Sequence, residues 1–288
     1  MNYSALIQHR KSVREFTDKK VSAAVLAEIE SYYQKSCQRL IPELETKLCM
    51  FGEEAREALE GAAGYESFLV GAPNYLVLLS AKGNLAGENA GFIMEDLVLK
   101  LTDMELSCCW LTFTDGEKVK AALGIDSPLD VAAMVAFGQG VKTTERLRLN
   151  ILSMSNVDIS AQRQYFAPKH GLHDMVFMDT WGNCEGLDAY IGFYDDMLWE
   201  AFYAATLSPS YLNRQPYGFI IHQGKIILVK APDSYTGEID AKLGLGIVLL
   251  HFSSTASQWA GKIRWNFGAD VPKIQLPEGY EAVASCKV

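Results

Sequence analysis

Arg10, Lys11 and Arg14 lie close together near the N-terminus, with Ser12 between them and Ile7, Val13 and Phe16 as apolar neighbours. Guanidinium groups are planar forks that match phosphate oxygens two at a time, and a serine hydroxyl adds a short neutral donor. The plainer reading of such a cluster is a solvated basic turn on a surface helix. A second polar stretch is Ser208-Pro209-Ser210-Tyr211-Leu212-Asn213-Arg214-Gln215-Pro216. Two prolines fix the backbone direction there while Ser, Asn and Gln side chains project. An ordinary Asn/Pro/Ser loop has the same composition. Arg146-Leu147-Arg148 repeats the pairing of cations around an apolar spacer. His222 and His251 invite a proton-donor role, but His251 stands in an apolar helical pattern and reads as a satisfied core residue.

These residues need elements to hold them. Ser22 or Asp18 can start a helix through Val25, Leu26, Ile29 and Tyr33, which are apolar at helical spacing. The region 38–64 is charged and helical in pattern, with Glu54, Glu57 and Glu60 on a solvated face. Tyr75–Leu79 and Val131–Phe137 are continuous apolar runs of strand length, as buried strands require. Between them, a helix from about Glu88 to Met104 is apolar nearly all round and so is buried on most sides. In the second half, Trp199, Phe202, Ala205 and Leu207 form one face of a helix. Tyr217–His222 and Lys225–Val229 then read as a hairpin across Gln223-Gly224. A second long apolar helix begins near Gly237 and ends near Trp265. Trp110 and Trp265 each follow such a helix by a few residues, so the order strand, long buried helix, tryptophan occurs twice. That order reads as a diverged internal duplication.

The 288 residues and near-half apolar content allow a sizeable core. A formal charge of −9 argues against a nucleic-acid partner. No apolar run approaches the roughly 20 residues that span a bilayer, and the N-terminus lacks the apolar stretch of a signal peptide. The six cysteines show no zinc spacing and no CxxC pair, which suits reduced thiols in a cytoplasmic protein. No Gly-x-Gly-x-x-Gly fingerprint is present, so no Rossmann nicotinamide site is expected.

In combination, these motifs resemble the nitroreductase superfamily. Arg10-x-Ser12-x-Arg14-x-Phe16 is similar to its phosphate-binding opening, and Pro209-Ser210-x-x-Asn213-x-Gln215-Pro216 to its Pro-Ser-x-x-Asn-x-Gln-Pro loop. Ala72-Pro73 before a strand, Cys109-Trp110 and Arg146-x-Arg148 match further landmarks in order. Ordinary members carry both motifs in one subunit and bind FMN across a dimer interface. Here the first half has the Arg-x-Ser segment without the loop, and the second half has the loop without the segment. The resemblance therefore implies an α+β fold of two fused halves, 1–155 and 156–288, forming an internal pseudo-dimer around a mixed sheet and long buried helices.

The same resemblance implies an FMN-dependent oxidoreductase that takes hydride from NADH or NADPH and passes it to a small electron-poor acceptor, a nitro compound or a quinone-like molecule. The flavin would carry the chemistry, with no catalytic side chain and no metal. Arg10, Lys11 and Ser12, with Arg146 or Arg148, would hold the phosphate and ribityl chain. Arg14 would lie at the N1/C2 carbonyl edge of the ring, where positive charge favours the reduced state. Pro209, Ser210 and Asn213 would close the site from the other half, and Tyr211 would pack on the ring edge or on the incoming substrate. Thr112 and Phe113 stand where many members carry glycines beside flavin N5, and their bulk narrows the pocket. The chain would work as a monomer, with no nucleic-acid or membrane partner. The alternatives are a flavin-binding carrier or sensor without turnover, and a flavin-free interaction protein on a decayed version of the fold.

Overall fold

The chain was analysed as a computed structural model that describes residues 1–65, 68–141, 146–153, 156–162, 167–193 and 196–288, with the backbone alone for the strands between 146 and 162. In chain order the first half runs α1 (Tyr3–His9), α2 (Ala23–Lys35), β1 (Thr46–Phe51), α3 (Ala55–Leu59), β2 (Asn74–Ser80), α4 (Ala86–Asp103), β3 (Ser107–Leu111), α5 (Gly116–Leu123) and β4 (Asp130–Gly138). A ribbon of β5 (Arg146–Ser153) and β6 (Asn156–Gln162) follows, and the expected boundary at 155/156 falls between its strands. The second half contains β7 (Val176–Met178), α6 (Leu187–Gly192), α7 (Met197–Thr206), β8 (Tyr217–His222), β9 (Lys225–Lys230), α8 (Glu238–Ala260), β10 (Asn266–Phe267) and β11 (Glu281–Cys286).

The apolar run of β2 is explained by its two covered faces. Successive strand residues point to opposite sides. Leu76 and Leu78 pack with Ile29, Tyr33 and Leu97, whereas Tyr75, Val77 and Leu79 pack with Leu59, Met134 and Val119. The strands are ordered β1-β2-β4-β3 and antiparallel throughout. The second sheet, ordered β10-β11-β9-β8-β7, is mixed because β7 joins β8 in parallel. Phe219, Ile221 and Leu228 turn one of its faces to α7 and α8. The Gln223-Gly224 turn has φ of 49° and 70°, the left-handed pair that a two-residue hairpin requires.

Two expectations change. Thr46–Phe51 is an edge strand paired along β2 rather than part of a helical region. The glutamates of 53–60 imitate a solvated helical face, and only the five-residue α3 forms there. Trp199 lies outside the buried face of α7, 41% exposed and stacked on Tyr203 at 4.9 Å. By contrast, Ser22 caps α2 as its sequence position suggests, its Oγ accepting from the Val25 amide at 3.3 Å.

Helices α4 and α8 meet backbone to backbone. A Cβ on Gly91 would collide with the Leu243 carbonyl, and one on Gly246 with the Glu88 carbonyl. The contact is reciprocal: Leu243 stands three residues before Gly246, and Glu88 three residues before Gly91. One offset of 155 residues relates Gly91 to Gly246, Glu88 to Leu243 and Trp110 to Trp265. Each tryptophan also bonds back to the helix before it, Trp110 Nε1 to Glu95 Oε2 at 2.8 Å and Trp265 Nε1 to Ser253 Oγ at 2.7 Å. Helix α1 crosses to the second half, where Ile7 joins the core with Phe202 and Leu249. It is pinned by Asp96 of α4, which accepts from Tyr3 and Tyr32 hydroxyls at 2.8 and 2.9 Å and from the Gln38 amide at 2.8 Å.

The crossing gives a direct test. Gly246→Ala should destabilise the protein by about 1–3 kcal/mol, the range for overpacking a tight contact. Gly192→Ala, whose new methyl meets nothing within 4 Å among the described residues, should be neutral or stabilising. Chemical denaturation followed by circular dichroism separates the two outcomes.

Candidate functional site

After α1 the chain is extended, so the basic cluster is not a helical turn. The Val13 amide donates to the Cys108 carbonyl at 2.9 Å, Thr17 to Gln139 at 2.8 Å, and Val141 to Glu15 at 2.9 Å. These bonds lay residues 12–17 beside β3 and the end of β4, with bridges at Ser12–Cys108 and Phe16–Gly140. Ser12 and Arg14 thereby face a cleft of about 210 Å³.

The cleft draws on both halves. From the first come Ser12, Arg14, Tyr65, Phe68, Trp110 and Thr112; from the second come Pro209, Ser210, Tyr211, Leu212, Asp240, Leu243, Gly244 and Ile247. The Gly64 amide bonds the Thr112 carbonyl at 2.8 Å, fixing the Tyr65 loop to the end of β3. Tyr65 and Tyr211 meet with ring centroids 6.1 Å apart, one from each half. Thr112 Oγ1 donates to Asp240 in the first turn of α8, at 3.1 and 2.9 Å from the two carboxylate oxygens. Burial raises the Asp240 pKa, and the Thr112 bond only partly opposes it. Among the described residues the lining is thus mainly aromatic and aliphatic, with one cation and one carboxylate.

The loop 208–216 is braced from within and from outside. Ser210 Oγ accepts from the Gln215 amide at 2.9 Å, and Gln215 Nε2 donates to the Asn213 carbonyl at 2.9 Å. Leu212, Asn213 and Gln215 hold positive φ values of 47°, 57° and 50°, a conformation that costs non-glycine residues free energy and persists only where the surroundings enforce it. The enforcement includes Pro168–His170. Lys169 Nζ donates to the Ser208 carbonyl at 2.7 Å and to Asn213 Oδ1 at 3.0 Å. Asn213 Nδ2 donates to the Pro168 carbonyl at 2.6 Å, and the His170 amide to Gln215 Oε1 at 3.2 Å.

Behind the cleft lies a buried charge cluster. Arg10 turns inward with its side chain 7% exposed, its Nε 3.5 Å from Glu95 Oε1. That distance pairs the ions, but the alignment is not that of a hydrogen bond, and Arg10 Nη1 is also buried without a partner among the described residues. Glu95, fully buried, accepts from Trp110 and faces His251 Nε2 at 2.9 Å, while His251 Nδ1 lies 3.0 Å from the Ala204 carbonyl. His251 is therefore a bonded core residue, as its apolar helix suggests. His222 bonds Asp179 at 2.9 Å, and it is not among the cleft's lining residues.

The structure therefore gathers Ser12, Arg14, Thr112, Pro209, Ser210 and Tyr211 in one cleft. Arg10 stands behind it, Asn213 is engaged by the 168–169 segment, Lys11 is exposed outside the lining, and Phe113 is buried in the first-half core. Arg146 and Arg148 lie in β5, and their side chains fall outside the described residues. Sequence reasoning did not single out Tyr65, Phe68, Asp240, Lys169 or Glu95. The one available signal was Glu95-Asp96, two adjacent acids inside an otherwise apolar helix. All six cysteines are free. Among the described residues no group of metal-ligating side chains occurs, and no helix is long and apolar enough to cross a membrane.

Residues 2–167 match the family model described as "Putative TM nitroreductase". Among solved structures, a putative nitroreductase from Thermotoga maritima is similar to this chain with a TM-score of 0.60 at 18% identity, covering 99% of this chain and 93% of that one. A nitroreductase family protein from Clostridium novyi NT matches 49% of this chain and 86% of its own at 19% identity and a TM-score of 0.43. A putative nitroreductase in complex with FMN from Desulfovibrio desulfuricans matches 54% of this chain and 97% of its own at 18% identity, also at 0.43. No curated protein matches the chain.

Lys169 provides a titration test of the bracing. Burial, then repulsion from Arg10, depress its pKa from 10.5 to about 8. The unfolded chain thus binds more protons than the folded one between those values, so this lysine's contribution to stability rises with pH across the window and is lost as pH falls to 8. Relative to Lys169→Met, the wild type should gain up to roughly 3 kcal/mol from pH 8 to 10.5, at 1.36 kcal/mol per unit. Urea denaturation of both proteins along that pH series measures it; parallel curves would remove the depressed lysine.

Proposed function

The chain belongs to the putative nitroreductase family matched over residues 2–167, and from that premise we propose that it is an FMN-dependent oxidoreductase acting on small electron-poor acceptors. The observation that carries this reading is the meeting of Ser12 and Arg14 with Pro209, Ser210 and Tyr211 in one cleft, each half supplying what the other lacks. The reciprocal α4–α8 contact and the 155-residue offset support an internal duplication, hence one shared site per chain and a protein able to act as a monomer. Free cysteines suit a cytoplasmic location.

The residues present suit the cofactor. Ser12 and Arg14 are exposed donors at the cleft, able to meet anionic or carbonyl oxygens with charge-assisted bonds. Arg10 Nη1 is a buried donor lacking a partner among the described residues, and such a group gains from an anionic oxygen brought within reach. Arg146 and Arg148 remain candidates for the phosphate. Trp110, Leu243 and Ile247 offer apolar surface to a planar ring, and Thr112 borders it. When bound, FMN supplies two-electron hydride chemistry, taking hydride from NADH or NADPH and giving it to a nitro compound or quinone-like acceptor. Small-molecule sites commonly occupy about 300–1,000 Å³, more than the cleft holds with Tyr65 and Tyr211 in contact. Admitting a tricyclic ring therefore asks the cleft to widen.

Reconstitution should give one FMN per chain by heat release and absorbance, with a monomer by light scattering. Ser12→Ala should weaken FMN binding moderately. Arg14→Ala should weaken it by roughly 1.5–3 kcal/mol, the range for a hydrogen bond to a charged group, read by flavin fluorescence titration. NADH or NADPH should bleach the bound flavin under anaerobic conditions. Bleaching by dithionite alone would instead make the protein a carrier or sensor, and two flavins per chain would break the shared-site reading.

A further inference from the structure

Among the described residues, Arg14 and Asp240 are the two charged side chains that line the cleft. If Arg14 serves the cofactor, as the reading above holds, the carboxylate is left to the second ligand. Thr112 brings a single hydroxyl proton to two carboxylate oxygens, and among the described residues no cation pairs with Asp240. Its place in the first turn of the 23-residue α8 adds a favourable helix end. A partly desolvated carboxylate of this kind gains more from an incoming positive charge or N–H donor than an exposed one does. An anionic substituent at the same point meets like charge in a confined, partly apolar setting, where screening by water and salt is weak. The neighbouring surfaces of Tyr65 and Tyr211 suit an aromatic body, and aromatic faces also attract cations.

We propose that Asp240, positioned by Thr112, is the specificity determinant of the cleft, selecting aromatic acceptors that carry a positively charged or N–H-donating substituent and rejecting anionic ones. The burial that raises the Asp240 pKa works in the same direction, because a bound cation relieves the cost of keeping the group ionised.

The test compares the FMN-reconstituted wild type with Asp240→Asn, which preserves shape and removes charge. Two nitroarenes of similar size, 4-nitrobenzyltrimethylammonium and 4-nitrobenzoate, serve as acceptors. The wild type should favour the cation at least tenfold in kcat/KM, mainly through KM, and the variant should lose most of that preference while holding the same amount of FMN. A second readout needs no turnover. The non-reducible benzyltrimethylammonium and benzoate are titrated against tryptophan fluorescence, where the cation should bind at least tenfold tighter to the wild type than to Asp240→Asn. Equal preference in the wild type, or an unchanged ratio in the variant, overturns the assignment. If the protein holds no flavin and reduces neither compound, the oxidoreductase reading falls, while the fluorescence titration still decides whether Asp240 selects charge.

Discussion

The close crossing of α4 and α8 is the constraint on which the other features rest. Two glycines allow the backbones to touch, and any side chain at either point would force the helices apart. One turn beyond Gly91, Glu95 is carried to His251 of α8, and its second oxygen reaches back to Trp110 on β3. At the start of α8, Asp240 is brought to Thr112, just past the end of β3. The wall and the rear of the cleft thus follow from one helix–helix distance. Interiors are close-packed and transmit small displacements, so a shift at the crossing would reach Trp110 and Thr112 together.

The charge cluster behind the cleft explains how an acid can occupy the middle of the core. A carboxylate is costly to bury unless its lone pairs are met. Glu95 has an indole donor on one oxygen, and an imidazole and a guanidinium near the other. The Ala204 carbonyl can only accept, so His251 Nδ1 carries a proton. These contacts give Arg10 an inward pull that competes with any anion in front of it.

Much of this arrangement was legible in the sequence because it is written locally. Apolar runs give β2 and β4, the all-round apolar helices give α4 and α8, and Gln223-Gly224 gives the hairpin turn. The Arg-x-Ser segment and the Pro-Ser-x-x-Asn loop were visible as motifs and do share a cleft. What escaped depends on partners distant in the chain. The β1 edge strand exists through its ladder with β2, and its flanking glutamates disguise it. Residue type cannot say which way a long side chain turns, so Arg10 reads as a surface cation although it faces Glu95. Lys169 bears no motif, and its role arises only where the chain returns to the loop 208–216. Asn213 belongs to a recognisable motif, yet its amide is spent on Pro168 and Lys169.

The reciprocity of the α4–α8 contact has a genetic corollary. In a dimer of identical chains every substitution appears on both sides of the axis, so a buried acid placed there must be accommodated twice. Within one chain the two sides are separate loci. Leu250, offset by 155 from Glu95, is a fully buried aliphatic residue. Glu95 therefore has an inert aliphatic residue at the position this offset relates to it, an asymmetry that two identical subunits could not encode.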